Sequence, residues 1–289
     1  MKKIVILGCE NSHANSFLNF IRDESKYSDV EVVGVYSDDL EAAEKLRETY
    51  GVKVMSSYED AVGGVDGVII TARHGANHYK YAKPYIDSGV PMFIDKPITV
   101  CGDEAVQFMR ECRAAGTKVT GGSCCKHADA VKKMKKEREE NAGGETYSGA
   151  VRAPVNLDNA YGGFYFYSQH LVEMLCAIYG PYPKSVSAYR NGDKVTVVFR
   201  YEEYDIVGLY ISGDYTYQIE RHTPGGATVE KADISRSCFL AEFDEFYELL
   251  NGADQKMTYD DFIAPVFILN AIDESLNTGK EVSVKEYKV

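Results

Sequence analysis

The first 121 residues alternate between short apolar runs and segments with helical spacing, and this order constrains the fold more than any other feature of the chain. The apolar runs predict strands at 3–7, 30–36, 52–55, 67–71, 90–94 and 118–121. The segments between them predict helices at 12–23, 40–50, 58–62, 78–88 and 101–115. Because parallel strands need a crossover between them, we expect an α/β fold with a right-handed, doubly wound parallel sheet.

The pattern changes after about Gly122. Strand-like segments follow one another, separated by turns such as Asn191-Gly192, which is a hairpin signal. They are predicted at 148–153, 185–190, 194–201, 205–211 and 215–221, with helices at 128–141, 170–179, 239–250 and 260–277. We therefore expect two domains: residues 1–121 with the parallel sheet, and residues 122–289 with an α+β fold and a mainly antiparallel sheet.

Charge and composition exclude several classes of partner. The formal net charge of −12 argues against nucleic acid, because phosphate backbones bind to a basic face. No apolar stretch approaches the roughly 20 residues that span a bilayer. Seven cysteines without regular spacing fit a reducing compartment better than a disulfide framework. We expect a cytoplasmic protein that acts on a small molecule, with no nucleic-acid or membrane partner.

A lysine stands at the end of the strand predicted at 90–94, in the sequence Asp95-Lys96-Pro97. Proline has no N–H to donate to a ladder, so the strand stops and Lys96 is left at its carboxyl end. In open α/β sheets, ligands bind in the crevice outside the carboxyl strand ends. Lys96 is therefore a candidate catalytic or substrate-binding residue.

The loop after the first strand is an altered dinucleotide fingerprint. A Rossmann turn has the pattern G-x-G-x-x-G, and of its three glycines only Gly8 is present. Glu10 replaces the glycine that approaches the pyrophosphate, and His13 replaces the one that packs helix on strand. Asn11 or Ser12 can still cap the helix, whose N-terminus favours anions. Residues 1–121 are thus predicted to be a Rossmann-like domain, with Gly8, Asn11, Ser12 and His13 as candidate cofactor contacts; a domain that holds no cofactor is the alternative.

The position that usually bonds the ribose carries a serine. An acid at the end of the second strand normally accepts hydrogen bonds from the ribose hydroxyls, and by register that position is Ser37. A serine leaves room for a 2′-phosphate, whereas Asp38 argues for a free hydroxyl. Ser37 and Asp38 are both candidate cofactor contacts, and the choice between NAD and NADP stays open.

With these motifs in order, the chain resembles the Gfo/Idh/MocA family, the group of glucose–fructose oxidoreductase and inositol dehydrogenase, over nearly its full length. Asp95-Lys96-Pro97 is similar to the family's E-K-P. His78 and Thr71 match a histidine that opens the preceding helix and a threonine at the preceding strand end. The segment 122–127 falls where the family has a G-x-N-x-R-type stretch, and His170 follows a Gly-Gly pair as in the family's G-G…D-x-x-x-H-x-x-D helix.

The resemblance implies an NAD(P)-dependent oxidation of a sugar or polyol alcohol, or its reverse. Lys96 would bond the reacting hydroxyl and His170 would be the acid/base, because hydride removal from a carbinol needs a base for the hydroxyl proton. Thr71 and His78 would lie in the cofactor pocket, and His78 is equally well explained as a helix-start residue. Lys126 and Tyr161 are the candidate substrate contacts. The family also implies a homo-oligomer.

One position departs from the family. The acid four residues before the histidine is replaced by Phe166, and Tyr165, Tyr167 and Gln169 are the candidates to replace its function. A regulatory or ligand-binding protein without dehydrogenase chemistry is therefore the second hypothesis, and a cofactor-assisted elimination the third. Cys124, Cys125, His127 and His170 carry metal-ligand atoms, but no C-x-x-C pair is present, so no metal site is predicted.

Overall fold

A five-stranded parallel sheet organises the amino-terminal part of the chain, in the order β2-β1-β3-β4-β5. The protein is represented by a computed structural model that describes residues 1–289. The strands are β1 Lys2–Leu7, β2 Val30–Tyr36, β3 Gly67–Ile70, β4 Met92–Asp95 and β5 Val119–Gly122. The central strands are buried on both faces, which is why their sequences are continuous apolar runs.

Four helices cover the two faces of this sheet: α1 Ser12–Asp23, α2 Leu40–Tyr50, α3 His78–Ile86 and α4 Gly102–Ala115. The side chain of Asn11 caps α1 by accepting from the backbone N–H of His13, and Asp39 caps α2 in the same way. Gly51 ends α2 in the left-handed conformation that glycine adopts without strain. The predicted α/β alternation is confirmed.

Two predictions between β2 and β3 are wrong. The strand expected at 52–55 is reduced to a single bridge between Val35 and Val54. The helix expected from Tyr58 is a series of turns. The Asp60 carboxylate accepts from the backbone N–H groups of Ser56 and Ser57, and these local bonds favour a turn over a helix.

The second sheet has seven strands in the order β11-β10-β6-β9-β8-β7-β12. They are β6 Ser148–Val155, β7 Ser185–Asn191, β8 Lys194–Arg200, β9 Asp205–Ser212, β10 Gln218–Thr223, β11 Gly226–Lys231 and β12 Val282–Ser283. All neighbours are antiparallel except β6 and β9. The mainly antiparallel sheet is confirmed, although the sequence did not reveal β11 and β12. The proposed domain boundary after residue 121 stays a prediction.

Four more helices belong to the carboxyl-terminal part: α5 Asp129–Glu139, α6 Tyr165–Tyr179, α7 Arg236–Leu250 and α8 Tyr259–Thr278. Helix α7 packs back onto the first sheet, where Phe243 contacts Phe17 and Tyr27. This packing carries Glu242, on the same helix, to the region where β4 ends. No helix has the length and apolar character that a membrane crossing requires.

Candidate active site

Lys96 lies at the carboxyl end of β4 and faces a small cavity of about 170 Å³. Its side chain is mostly buried, with 6% of the residue exposed. Nζ lies 5.3 Å from the ring centroid of Phe166 and 5.9 Å from that of Tyr167, and it makes no hydrogen bond or ion pair with the protein. Since Nζ has no polar partner within the protein and lines the cavity, it is available to an oxygen ligand.

His170 faces the same cavity from α6, as the sequence predicts. Its Nδ1 lies 2.6 Å from Ser123 Oγ and 3.4 Å from Cys125 Sγ. Burial raises the pKa of the Cys125 thiol, but the Cys124 thiol and His170 outweigh it and hold that pKa well below its usual range. Since Nδ1 is engaged by Ser123 and Cys125, Nε2 is the nitrogen left for a ligand.

The substitutes expected for the missing acid at Phe166 have other partners. The Tyr165 hydroxyl bonds Asn270, and Gln169 Nε2 donates to Glu173. Tyr167 packs edge-on against His170 without hydrogen-bonding it. Ser123 and Cys125 are the groups that orient His170, and nothing in the sequence marks them beyond their place in the segment 122–127.

Asp95 anchors the strand end beneath the cavity. It is fully buried and accepts from Asn11 Nδ2 at 2.8 Å and from the backbone N–H of Lys96 at 2.7 Å, while His13 Nδ1 lies at 3.2 Å. Burial raises the pKa of Asp95, but His13, Lys96 and His78 together hold it below its usual value. Asp95 thereby fixes the first loop against β4.

Thr71 and His78 support the first loop from behind. Gly8 has φ +75°, and a Cβ there would lie 2.4 Å from the backbone of Ala72. Thr71 Oγ1 donates to Gly8 O at 2.9 Å, and His78 Nε2 lies 2.8 Å from Ala72 O. Both side chains are fully buried. Thr71 and His78 therefore hold two strand ends together, and their contact with a cofactor stays a prediction.

Glu10 lies beside Ser37, the position where the sequence predicts a contact with the ribose. Its Oε2 accepts from Ser37 Oγ at 2.6 Å and its Oε1 accepts from the backbone N–H of Arg73 at 2.9 Å. Asp38, in contrast, accepts from the hydroxyls of Tyr36 and Tyr81, which hold its pKa below the usual value. The carboxylate beside Ser37 is therefore Glu10, and Asp38 is already satisfied.

A groove along the first loop joins this cavity. Asn11, Ser12 and Arg73 line both, so the crevice runs from the end of β2 to Lys96. Arg73 stacks on Tyr161, and its Nη1 donates to the Tyr161 hydroxyl at 3.1 Å. Arg73 is a cationic group at the middle of the crevice that the sequence analysis did not select.

Lys126 does not reach this crevice. Its Nζ donates to Gly121 O and lies 3.7 Å from Glu173, and it lines a separate cavity with Lys132 and Lys256. The substrate contact predicted for Lys126 is therefore corrected to a largely buried ion pair. Tyr161 lies at the rim, through its contacts with Arg73 and Phe166.

The crevice fits a nicotinamide dinucleotide with an altered set of contacts. Gly8 permits the tight turn, the exposed Ser12 lies at the start of α1, and Arg73 supplies a positive charge where no glycine cradle exists. Glu10, which lines the groove and accepts from Ser37, would present a carboxylate to a ribose. These residues could hold the cofactor although two fingerprint glycines are missing.

Comparison with known proteins identifies a similar sequence family and many similar folds. Residues 2–123 match the family model described as "Oxidoreductase family, NAD-binding Rossmann fold", which is the Gfo/Idh/MocA model. No curated protein matches the chain significantly.

Three solved structures resemble the whole chain. GenD2 from gentamicin A biosynthesis, in complex with NAD, has a TM-score of 0.86 at 15% identity, covering 98% of this chain and 96% of that one. Scyllo-inositol dehydrogenase from Lactobacillus casei, with bound NAD(H) and scyllo-inositol, has a TM-score of 0.84 at 15% identity, with 98% and 99% covered. Myo-inositol dehydrogenase from Corynebacterium glutamicum ATCC 13032 has a TM-score of 0.81 at 16% identity, with 99% and 100% covered. At such identities the likeness establishes the fold.

Proposed function

Because residues 2–123 match the model of the Gfo/Idh/MocA family of NAD-binding oxidoreductases, we propose that this protein is an NAD-dependent oxidoreductase that acts on a sugar or polyol-like alcohol. One observation carries the proposal: the unpaired ammonium of Lys96 and the imidazole of His170 face one cavity that continues into the nucleotide groove. Polyol substrates are supported by the inositol dehydrogenases that share the fold.

Each residue has a definite part in the chemistry. Lys96 Nζ donates to the reacting hydroxyl and stabilises the negative charge that develops on its oxygen. His170 Nε2 accepts the hydroxyl proton, while Ser123 and Cys125 hold the ring through Nδ1. The bound nicotinamide supplies the hydride chemistry itself. Phe166 and Tyr167 limit the access of water to Lys96.

We propose NAD rather than NADP as the cofactor. The start of α1 and Arg73 would face the pyrophosphate, and Glu10, which accepts from Ser37, would face the adenosine ribose. A carboxylate hydrogen-bonded to Ser37 accepts from a 2′-hydroxyl but repels a 2′-phosphate. The homo-oligomer and the cytoplasmic location stay predictions.

The test compares variants in a turnover assay. Purified protein is incubated with NAD⁺ and a panel of polyols that includes inositols, and NADH formation is followed by absorbance. Lys96→Met and His170→Gln are each expected to lower kcat/KM by about 10²-fold or more. Lys135→Met, which removes an exposed lysine paired only with Glu139, is the matched control. Wild-type rates in both site variants, or no NADH binding at millimolar cofactor, would refute the proposal.

A ligand-binding protein without turnover is the second candidate function. It is favoured by Phe166, whose ring packs against Lys96 where the family has an acid. In that case polyols stabilise the protein against thermal unfolding, Lys96→Met abolishes the stabilisation, and no polyol yields NADH. Turnover by the wild-type protein excludes it.

A further inference from the structure

Three metal-ligating side chains from separate parts of the chain meet beneath the crevice. His13 on α1, Cys124 after β5 and Glu242 on α7 place one ligand atom each within 4.8 Å of the others. All three residues are at most 5% exposed. We propose that they bind one divalent cation of the zinc class, which the sequence analysis did not predict.

Unsatisfied polar atoms support the site. Both carboxylate oxygens of Glu242 and Nε2 of His13 are buried without a hydrogen-bond partner, although Nε2 and Oε1 approach to 3.1 Å. A carboxylate with 1% of the residue exposed needs a compensating positive charge, because desolvation of an anion is costly, and neither of its oxygens is hydrogen-bonded. A cation between the three groups satisfies the imidazole nitrogen and the carboxylate at once.

A neighbouring carboxylate fixes the histidine for this role. Asp95 Oδ2 lies 3.2 Å from His13 Nδ1, and Asp95 is itself held by Asn11 and the Lys96 backbone. The Asp95 carboxylate favours a proton on Nδ1, which leaves the lone pair of Nε2, 3.1 Å from Glu242 Oε1, for a cation. Histidine ligands of metals typically have such a carboxylate on the other ring nitrogen, which fixes the tautomer and raises the basicity.

The donor set decides the type of metal. One nitrogen, one thiolate sulfur and one carboxylate oxygen match the borderline-soft Zn²⁺, whereas Mg²⁺ and Ca²⁺ prefer oxygen alone. Ligand bonds of about 2.0–2.3 Å place tetrahedral donors about 3.3–3.8 Å apart, so a span of up to 4.8 Å closes through small side-chain rotations.

The fourth coordination position faces the crevice. His13 and Cys124 line the same cavity as Lys96 and His170, so water or a substrate oxygen can complete the tetrahedron. Three protein ligands with an open position are typical of zinc sites that take part in reactions. The inference does not rest on the proposed oxidoreductase activity, because it concerns only the binding of the ion.

The proposed metal ligands differ from the metal-ligating side chains that stand close together in the sequence. Cys124 was considered with Cys125, His127 and His170, but Cys125 Sγ faces His170, and the nearest acid to His127 is Glu245. Glu242 lies far along the chain and reaches the site only through the packing of α7. No local motif predicts such a set.

The test measures metal binding by the intact protein without reference to activity. Protein loaded with Zn²⁺ and dialysed is expected to retain one equivalent by mass spectrometry of the metal. Co²⁺ is the spectroscopic probe, because a thiolate ligand gives an intense charge-transfer band. Cys124→Ser should abolish that band, and Glu242→Gln should weaken binding at least about tenfold. The matched control is Cys112→Ser, which replaces a buried cysteine outside the site and should keep both the band and the stoichiometry.

Two results would overturn the inference. Wild-type protein that retains no Zn²⁺ and gives no Co²⁺ band leaves His13 and Glu242 as a plain ion pair. A Cys124→Ser variant that keeps the band shows that another thiol is the ligand. The wild-type measurement tests the site by itself, so the proposal can be refuted even if a variant does not fold.

Discussion

Replacing Glu10 with glutamine should reduce the discrimination between NADH and NADPH. Glu10 Oε2 lies 2.6 Å from Ser37 Oγ, so a 2′-phosphate oxygen that also bonds Ser37 would come within about 4–5 Å of the carboxylate. Two unit charges at that distance repel by about 1 kcal/mol in water and about 4 kcal/mol near a protein surface. In a half-exposed groove we expect the binding free energies of NADH and NADPH to differ by about 1–3 kcal/mol, which is roughly a 5- to 150-fold preference for NADH.

The assay is equilibrium binding of each reduced cofactor, followed by its fluorescence. Glu10→Gln should bring the two dissociation constants within about fivefold of each other, because the amide carries no charge. Glu41→Gln is the matched control: Glu41 lines the same groove but its side chain is 80% exposed and paired with Lys45. It should leave the ratio unchanged.

The outcomes separate two roles of the carboxylate. A wild-type protein that binds NADPH as tightly as NADH contradicts the assignment of Glu10 to the ribose. If Glu10→Gln increases the affinity for NADH and for NADPH by the same factor, the carboxylate repels the pyrophosphate instead. A glutamine variant with the wild-type ratio refutes the electrostatic argument altogether.

Three further changes test the supporting structure by urea unfolding and kinetics. Gly8→Ala should lower the free energy of unfolding by about 2–4 kcal/mol, because its Cβ would lie 2.4 Å from the backbone of Ala72. Gly51→Ala is the control: the residue has φ +72° but no atom within 4 Å of its Cβ, so the loss should be about 1 kcal/mol. Burial, assisted by nearby lysines, lowers the pKa of His127 from 6.5 to about 3, so the unfolded chain binds its proton first and stability falls as pH drops below 6.5. His127→Gln should therefore remove about 2 kcal/mol of the destabilisation between pH 6.5 and pH 5, and an unchanged pH dependence would contradict this. Lys126→Met should destabilise by about 3 kcal/mol without raising KM, and a raised KM would restore Lys126 as a substrate contact.

The elements of the first domain were predictable because their signals are local. Apolar runs of strand length and the Asn11 cap are read directly from neighbouring residues, and the bounds of α1 and α2 agree with the prediction. The prediction of a strand at 52–55 was wrong, because this segment pairs with β2 only through a single bridge, which gives too few ladder bonds to hold a strand.

The candidate site was predictable only in part. Lys96 and His170 were found from their spacing, and both face the cavity. Thr71 and His78 are fully buried, which spacing does not show, because a residue at a strand end can face the crevice or the neighbouring strand. Arg73 was missed, since no motif marks a loop arginine.

By itself, the sequence determined the fold class, the alternation of strands and helices in the amino-terminal part, and the lysine at the carboxyl edge of β4, because alternation and proline chemistry act over a few residues. Only the tertiary structure decided what surrounds that lysine. The contact of Glu10 with Ser37, the orientation of His170 by Ser123, and the meeting of His13 with Glu242 join segments separated by 27, 47 and more than 200 residues. Such contacts depend on how helices and sheets pack. The residues around one position do not indicate which distant residue it will contact.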